Sequence, residues 1–219
     1  MFTPPSAQGR LLPLVLLLIA AGAVRGQAPP SGSAANNGTL TLLNDFSQAY
    51  GQPGWLVEVS PGTFAGIAIA SSPGGNAFLL TSQGVLKSIY AFALNAGPIQ
   101  TLVQAVNRRL YGTQQAPFVN FSLAFGGSFR TYPPVLPYAP IFSIQMPDGS
   151  LYGTEHTLNG HNAFARMTLN GTLTVLRNFS AQEGIPYVLP LMASDGNFYG
   201  ISGIGTSPPP IAPRRWSTG

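Results

Sequence analysis

The chain repeats itself, and the period constrains the fold more than any other feature. A glycine followed by a short apolar run recurs at Gly38 (GTLTLLNDF), Gly84 (GVLKSIYAF), Gly127 (GSFRTYPPV) and Gly171 (GTLTVLRNF), at spacings of 46, 43 and 44 residues. Further landmarks keep register with it. An aromatic residue stands eight positions on, at Phe46, Phe92 and Phe179, with Val135 in the third copy. A proline follows at Pro53, Pro98, Pro140 and Pro186, and the unit closes on Tyr111-Gly112, Tyr152-Gly153 and Tyr199-Gly200, reduced to Ala65-Gly66 in the first copy. A fixed period of this length belongs to stacked units that bury their apolar faces against one another.

Between copies lie the apolar runs Ala77–Leu80, Phe121–Leu123 and Ala163–Met167, so each full period holds four short apolar runs, each with room for a strand and a turn. That is the content of one propeller blade. The run GTLTVLRNF alternates, with Leu173, Val175 and Arg177 on one face and Thr174, Leu176 and Asn178 on the other, a half-buried strand pattern. Asp148-Gly149 and Asp195-Gly196 are strong tight-turn signals, matched by Asn107-Arg108 and Pro61-Gly62 in the earlier copies. Twenty-one prolines and 26 glycines argue against long helices. Ile99 to Asn107 fits a helical pattern taken alone, but its place in the repeat makes it a strand. The expected fold is all-β, a propeller-like array of about four four-stranded repeats of 43–46 residues, incomplete or truncated.

The ends differ from the middle. Residues 1–28 read as an export signal, with Arg10 before a fourteen-residue apolar core from Leu11 to Val24 and small residues at the cleavage position. That core is shorter than the roughly 20 residues a membrane span needs, so no span is expected after cleavage. Residues 29–37 are a proline- and serine-rich linker, 38–202 the repeat domain, and 203–219 an irregular tail where prolines and arginines replace the expected next strand. The expected location is secreted or at the cell surface.

With no cysteine, the chain has neither disulfides nor thiolate metal ligands. Its basic excess sits at the ends. Between Asn36 and Thr206, six basic residues face six acidic ones, and no basic stripe tracks a phosphate backbone, so nucleic acid is not an expected partner. A charged fraction of 7% leaves a surface of Ser, Thr, Asn, Gln and Gly, suited to an exported β-protein.

At GTLTVLRNF…SDGNFYG the unit resembles the tandem repeats of bacterial exported proteins known as GloVer-type, or choice-of-anchor, proteins. The likeness runs from about Gly38 to Ser202 and is densest in the fourth copy, at Gly171, Thr172, Leu173, Phe179, Gly184, Pro186, Asp195, Gly196, Asn197, Tyr199 and Gly200. What the resemblance implies is an exported or surface-attached propeller-like repeat protein without an assigned activity or catalytic residues to carry over.

Two residue sets have chemistry to offer. Glu155, His156 and His161 share the loop GTEHTLNGHNAF, and two imidazoles beside a carboxylate are ligands suited to Zn²⁺ or a similar ion. A polar loop that merely holds both histidines is the plainer account. Tyr111, Tyr152 and Tyr199 present aromatic faces on which a sugar ring stacks, or else serve as packing fixed by the repeat. No nucleophile elbow, phosphate loop or close acid pair is present, and no cofactor is expected. The sequence therefore reads first as an exported non-enzymatic repeat protein presenting loops to carbohydrate or another surface protein. The alternative is a propeller-type polysaccharide hydrolase or lyase.

Overall fold

The computed structural model describes residues 41–46, 51–69, 74–93, 97, 99–115, 117–133, 139–156, 162–180, 182–186, 190–203 and 213–216. The signal and linker, residues 1–37, lie outside the described residues, as does His161. Sixteen strands follow in order, with no helix among the described residues: β1 Gln52–Ser60, β2 Thr63–Ile69, β3 Asn76–Thr81, β4 Leu86–Ala91, β5 Ile99–Gln104, β6 Leu110–Gln115, β7 Phe118–Leu123, β8 Phe129–Tyr132, β9 Ile141–Gln145, β10 Leu151–His156, β11 Asn162–Met167, β12 Leu173–Asn178, β13 Ile185–Pro186, β14 Leu191–Met192, β15 Phe198–Gly203 and β16 Pro213–Trp216. They form four antiparallel four-stranded sheets in chain order: β1 to β4, β5 to β8, β9 to β12, and a fourth in which β13 and β14 pair one edge of β15 and β16 pairs the other.

Each sheet packs face to face on the next, with β1 on β5, β5 on β9, and β13 on β10 and β11. The middle strands are therefore covered on both faces, and their burial is near-continuous, as in β6 and β11. The last strands, β4 and β12, have one free edge and expose half of their residues. Ile99–Gln104 is a strand, as its place in the repeat requires.

The aromatic landmarks of the repeat are wedges between sheets. Phe92, 5% exposed, meets Phe121 and Phe129 edge-on between the first and second sheets. Phe179 packs with Phe164 and Phe198 between the third and fourth. Each such ring contributes about 1.5–3 kcal/mol of burial. The glycine of the closing Tyr-Gly pair is set by the same packing: a Cβ on Gly66 would lie 2.3 Å from the Phe78 ring, and one on Gly112 would lie 2.5 Å from that of Phe121.

Turn chemistry positions both strand ends. In the β5–β6, β9–β10 and β14–β15 turns, the fourth residue donates its N–H to the first residue's carbonyl, and the first donates to the fifth, a type I turn closed by a left-handed residue. That residue is Gly149 (φ 78°) or Gly196 (φ 77°) in the later copies, and Arg108 (φ 59°) in the second. A side chain there costs about 1–2 kcal/mol.

Two expectations about the ends change. Residues 41–46, within the first copy's opening run, are not in a strand: Phe46 lies edge-on to Phe78 at 4.8 Å and the Asn44 amide donates to the Gly84 carbonyl, so the segment packs on the first sheet. In the segment read as an irregular tail, Pro213–Trp216 pairs with β15 from Phe198↔Trp216 to Ile201↔Pro213. Among the described residues, the first and fourth sheets do not pack as neighbours, and the four sheets form an open arc.

Candidate functional site

Where β6 and β10 end, the repeat sequence changes from apolar to polar, as LYGTQQ and LYGTEH. Thr113, Gln114, Asn120, Thr154, Glu155 and Asn162 are all buried between the sheets. Thr113 Oγ1 donates to the Pro140 carbonyl at 2.8 Å, and Asn120 Nδ2 donates to the same carbonyl at 2.7 Å and to Thr113 Oγ1 at 2.9 Å. This triangle fixes the residue from which β9 departs, and so the placement of the third sheet on the second.

Glu155 is 1% exposed and is the one fully buried acid among the described residues. Sequence reasoning placed it in a loop. It is a strand residue, its backbone opposite Ala163, while the backbone of His156 faces Asn162 at the last rung of the ladder. A carboxylate taken out of water is held only with partners, and Glu155 is engaged by the protein. His161 lies outside the described residues. No group of three His, Asp or Glu gathers to hold a metal among the described residues. The polar layer of Thr113, Gln114, Asn120 and Thr154 was missed, although the repeated Tyr-Gly-Thr-Gln/Glu was present to signal it.

The tyrosines sit elsewhere, toward the turn end of the same strands. Tyr111 is 1% exposed, its hydroxyl donating across to the Leu169 carbonyl of the third sheet at 3.0 Å and accepting from Asn107 Nδ2 at 2.9 Å. Burial pushes this hydroxyl's pKa above its ordinary value. Tyr152 stacks on Phe198 at 5.0 Å and donates to Asp148 Oδ2 at 2.9 Å; Tyr199 donates to Asp195 Oδ2 at the same distance. Burial, reinforced by the Asp148 carboxylate, also raises the Tyr152 pKa. Sugar stacking needs an open ring face. Tyr111 has none, and one face of Tyr152 is covered by Phe198.

Asp148 and Asp195 are turn formers, each accepting the N–H two residues on, from Ser150 and Asn197. Partial burial opposes ionisation of Asp148, but the hydrogen bonds from Ser150 and Tyr152 outweigh it and lower its pKa.

No family model and no curated protein matches the sequence. Solved structures do match. A streptogramin B lyase superposes with a TM-score of 0.54 at 16% identity, over 68% of this chain and 47% of that one. The catalytically inactive histidine-to-alanine form of virginiamycin B lyase from Staphylococcus aureus, with quinupristin, gives 0.52 at 18% identity, over 74% and 54%. A putative gluconolactonase gives 0.50 at 13% identity, over 71% and 57%. The arc is an incomplete β-propeller. The chain spans about half the length of the propellers it matches.

These likenesses overturn one expectation. The chain read first as a non-enzymatic presenter of loops, whereas the matched propellers include two lyases and a putative lactone hydrolase. The reading as a binder is withdrawn. No helix among the described residues is long and apolar enough to cross a membrane.

Proposed function

We propose that this chain is an exported propeller enzyme that cleaves polysaccharide by hydrolysis or elimination, with its proton-transfer groups at the loop end of the third sheet. The observation that carries the reading is the buried Glu155, lodged in the same hairpin segment as both histidines of the chain. An imidazole moves a proton near neutral pH, and a buried carboxylate in the same segment sets the charge around it. His156 and His161 take the roles of base and acid: one removes a proton from the sugar ring or from water, the other delivers one to the leaving oxygen. Glu155 tunes the charge at that end of the strands. The engaged polar layer at Thr113, Asn120 and Pro140 keeps the second and third sheets in fixed relation. The inactive form of virginiamycin B lyase is a histidine variant, which directs attention to the same side chain here. Export rests on the apolar leader at Leu11–Val24 and on the likeness of the repeat to the exported GloVer-type proteins.

The test is turnover on a panel of neutral and uronate-containing polysaccharides, read both as new reducing ends and as the unsaturated product that elimination alone forms. The expected result is cleavage that falls about 10²–10⁴-fold in the His156→Ala, His161→Ala double variant. Glu155→Gln is expected to shift the pH profile of the remaining rate. Full activity in the double variant, or no cleavage of any member of the panel by folded protein, sinks the proposal.

A further inference from the structure

We infer a second ligand site, for a small organic carboxylate with an apolar body, in the cleft between the first and second sheets at the turn end of the strands. It is independent of the proposed active site, which lies at the opposite strand ends. The cleft holds about 450 Å³, the range of a small-molecule pocket. Its walls are apolar at Val59, Leu79 and Phe125, with hydrogen-bonding groups at Thr63 and Gln104, and Arg108 beside them. The Gln104 amide donates to the Val59 carbonyl at 3.3 Å and joins the two walls.

Arg108 is the residue that makes this cleft a site. The repeat puts glycine at its position in the other three copies, at Gly62, Gly149 and Gly196, because the backbone there is left-handed. In the second copy an arginine is held in that conformation at φ 59°. A cost of backbone strain retained at one copy of a repeat is what a functional side chain leaves behind.

The charge around it has also been rearranged. Where the third and fourth copies place Asp148 and Asp195 just before the left-handed residue, the second has the neutral Asn107. Arg109 is engaged with Ser122 and Ser128, and Glu58 accepts from the Gly62 N–H. The Arg108 guanidinium itself makes no hydrogen bond or ion pair among the described residues. An arginine fork free of protein carboxylates beside an apolar cavity is complementary to a carboxylate carried on an aromatic or alkyl body.

Isothermal titration of the full chain with 2-naphthoate, with 2-naphthamide as the uncharged control, tests this. Saturable binding of the acid, with the amide at least about tenfold weaker, is expected from the loss of one charge-assisted contact. Arg108→Gly is the informative variant, because it restores the repeat's own residue. Its thermal midpoint should equal or exceed that of the parent while naphthoate binding weakens by at least about tenfold. Equal affinity for acid and amide, no saturable binding by the parent, or undiminished binding by folded Arg108→Gly each overturns the inference.

Discussion

The second and third sheets use the same hydrogen bond in opposite directions. In the β9–β10 turn, Tyr152 donates its proton to the Asp148 carboxylate four residues earlier, and the β14–β15 turn repeats this with Tyr199 and Asp195. In the β5–β6 turn the residue four earlier is Asn107, whose amide donates to Tyr111 instead. The Tyr111 proton is thereby released to the Leu169 carbonyl of the next sheet. One oxygen-to-nitrogen exchange converts a tie within a turn into a staple between sheets. The repeat preserves a contact and its spacing, and the direction of donation is where copies diverge.

The largest effect should come from the close approach at the second sheet's Tyr-Gly pair, where the glycine faces a ring as well as backbone, whereas Gly153 of the third sheet faces backbone. Gly112→Ala puts a Cβ 2.5 Å from the Phe121 ring and 2.6 Å from the Thr101 carbonyl, and should cost about 3 kcal/mol in chemical denaturation. A cost below about 1 kcal/mol would mean that the ring yields, and that the glycine is not set by packing.

Next comes the comparison itself. Tyr111→Phe removes a hydroxyl buried between the sheets, the acceptor of the Asn107 amide and one of two donors to the Leu169 carbonyl, and should cost about 1–2 kcal/mol, whereas Tyr152→Phe, facing a solvated Asp148, should cost about 0.5–1 kcal/mol. Equal costs would erase the distinction between staple and tie. Asn107→Asp moves the second turn toward the pattern of the third and fourth, yet should destabilise by about 1 kcal/mol, because the tyrosine proton turns back to the carboxylate and the Leu169 carbonyl keeps only the longer bond from Tyr132. A gain in melting temperature would show that the turn matters more than the staple.

The smallest effect is in acid. Asp148 has a lowered pKa, so its contribution is complete above the ordinary carboxylate value near pH 4 and is lost as the pH falls through the lower folded value. Glu183, held by the Ser180 N–H and by Arg177, behaves likewise. Asp148→Asn should therefore flatten part of the fall in stability between about pH 5 and pH 2, bringing the third turn toward the pH-independent second. An unchanged acid profile would sever the link between that carboxylate and the fold.

The parts of the fold legible in sequence were those written in local chemistry. Asp-Gly pairs mark turns because so few residues accept a positive φ, and the four-run period survives even where Ile99 to Gln104 mimics a helix. What was not legible depended on neighbours in space. Residues 41–46 have strand-like side chains but pack on the first sheet outside any strand, and Pro213–Trp216 has poor strand residues but an edge of β15 to accept them. At the candidate site, Glu155 was visible as an acid beside histidines, whereas its burial follows from the third sheet being covered on both faces. The tyrosines read as candidate ligand faces because sequence gives a ring's position and not what lies on it.

Sheets that stack without a closing contact behave as a one-dimensional lattice, in which stability is a sum of unit terms and nearest-neighbour couplings. Among the described residues, the second and third sheets each have two such couplings, joined further by the staple at Leu169, while the first and fourth have one. Opening free energy should accordingly form a gradient along the sequence rather than a single value. Amide hydrogens of β6, β7, β10 and β11 would exchange with solvent later than those of the first and fourth sheets.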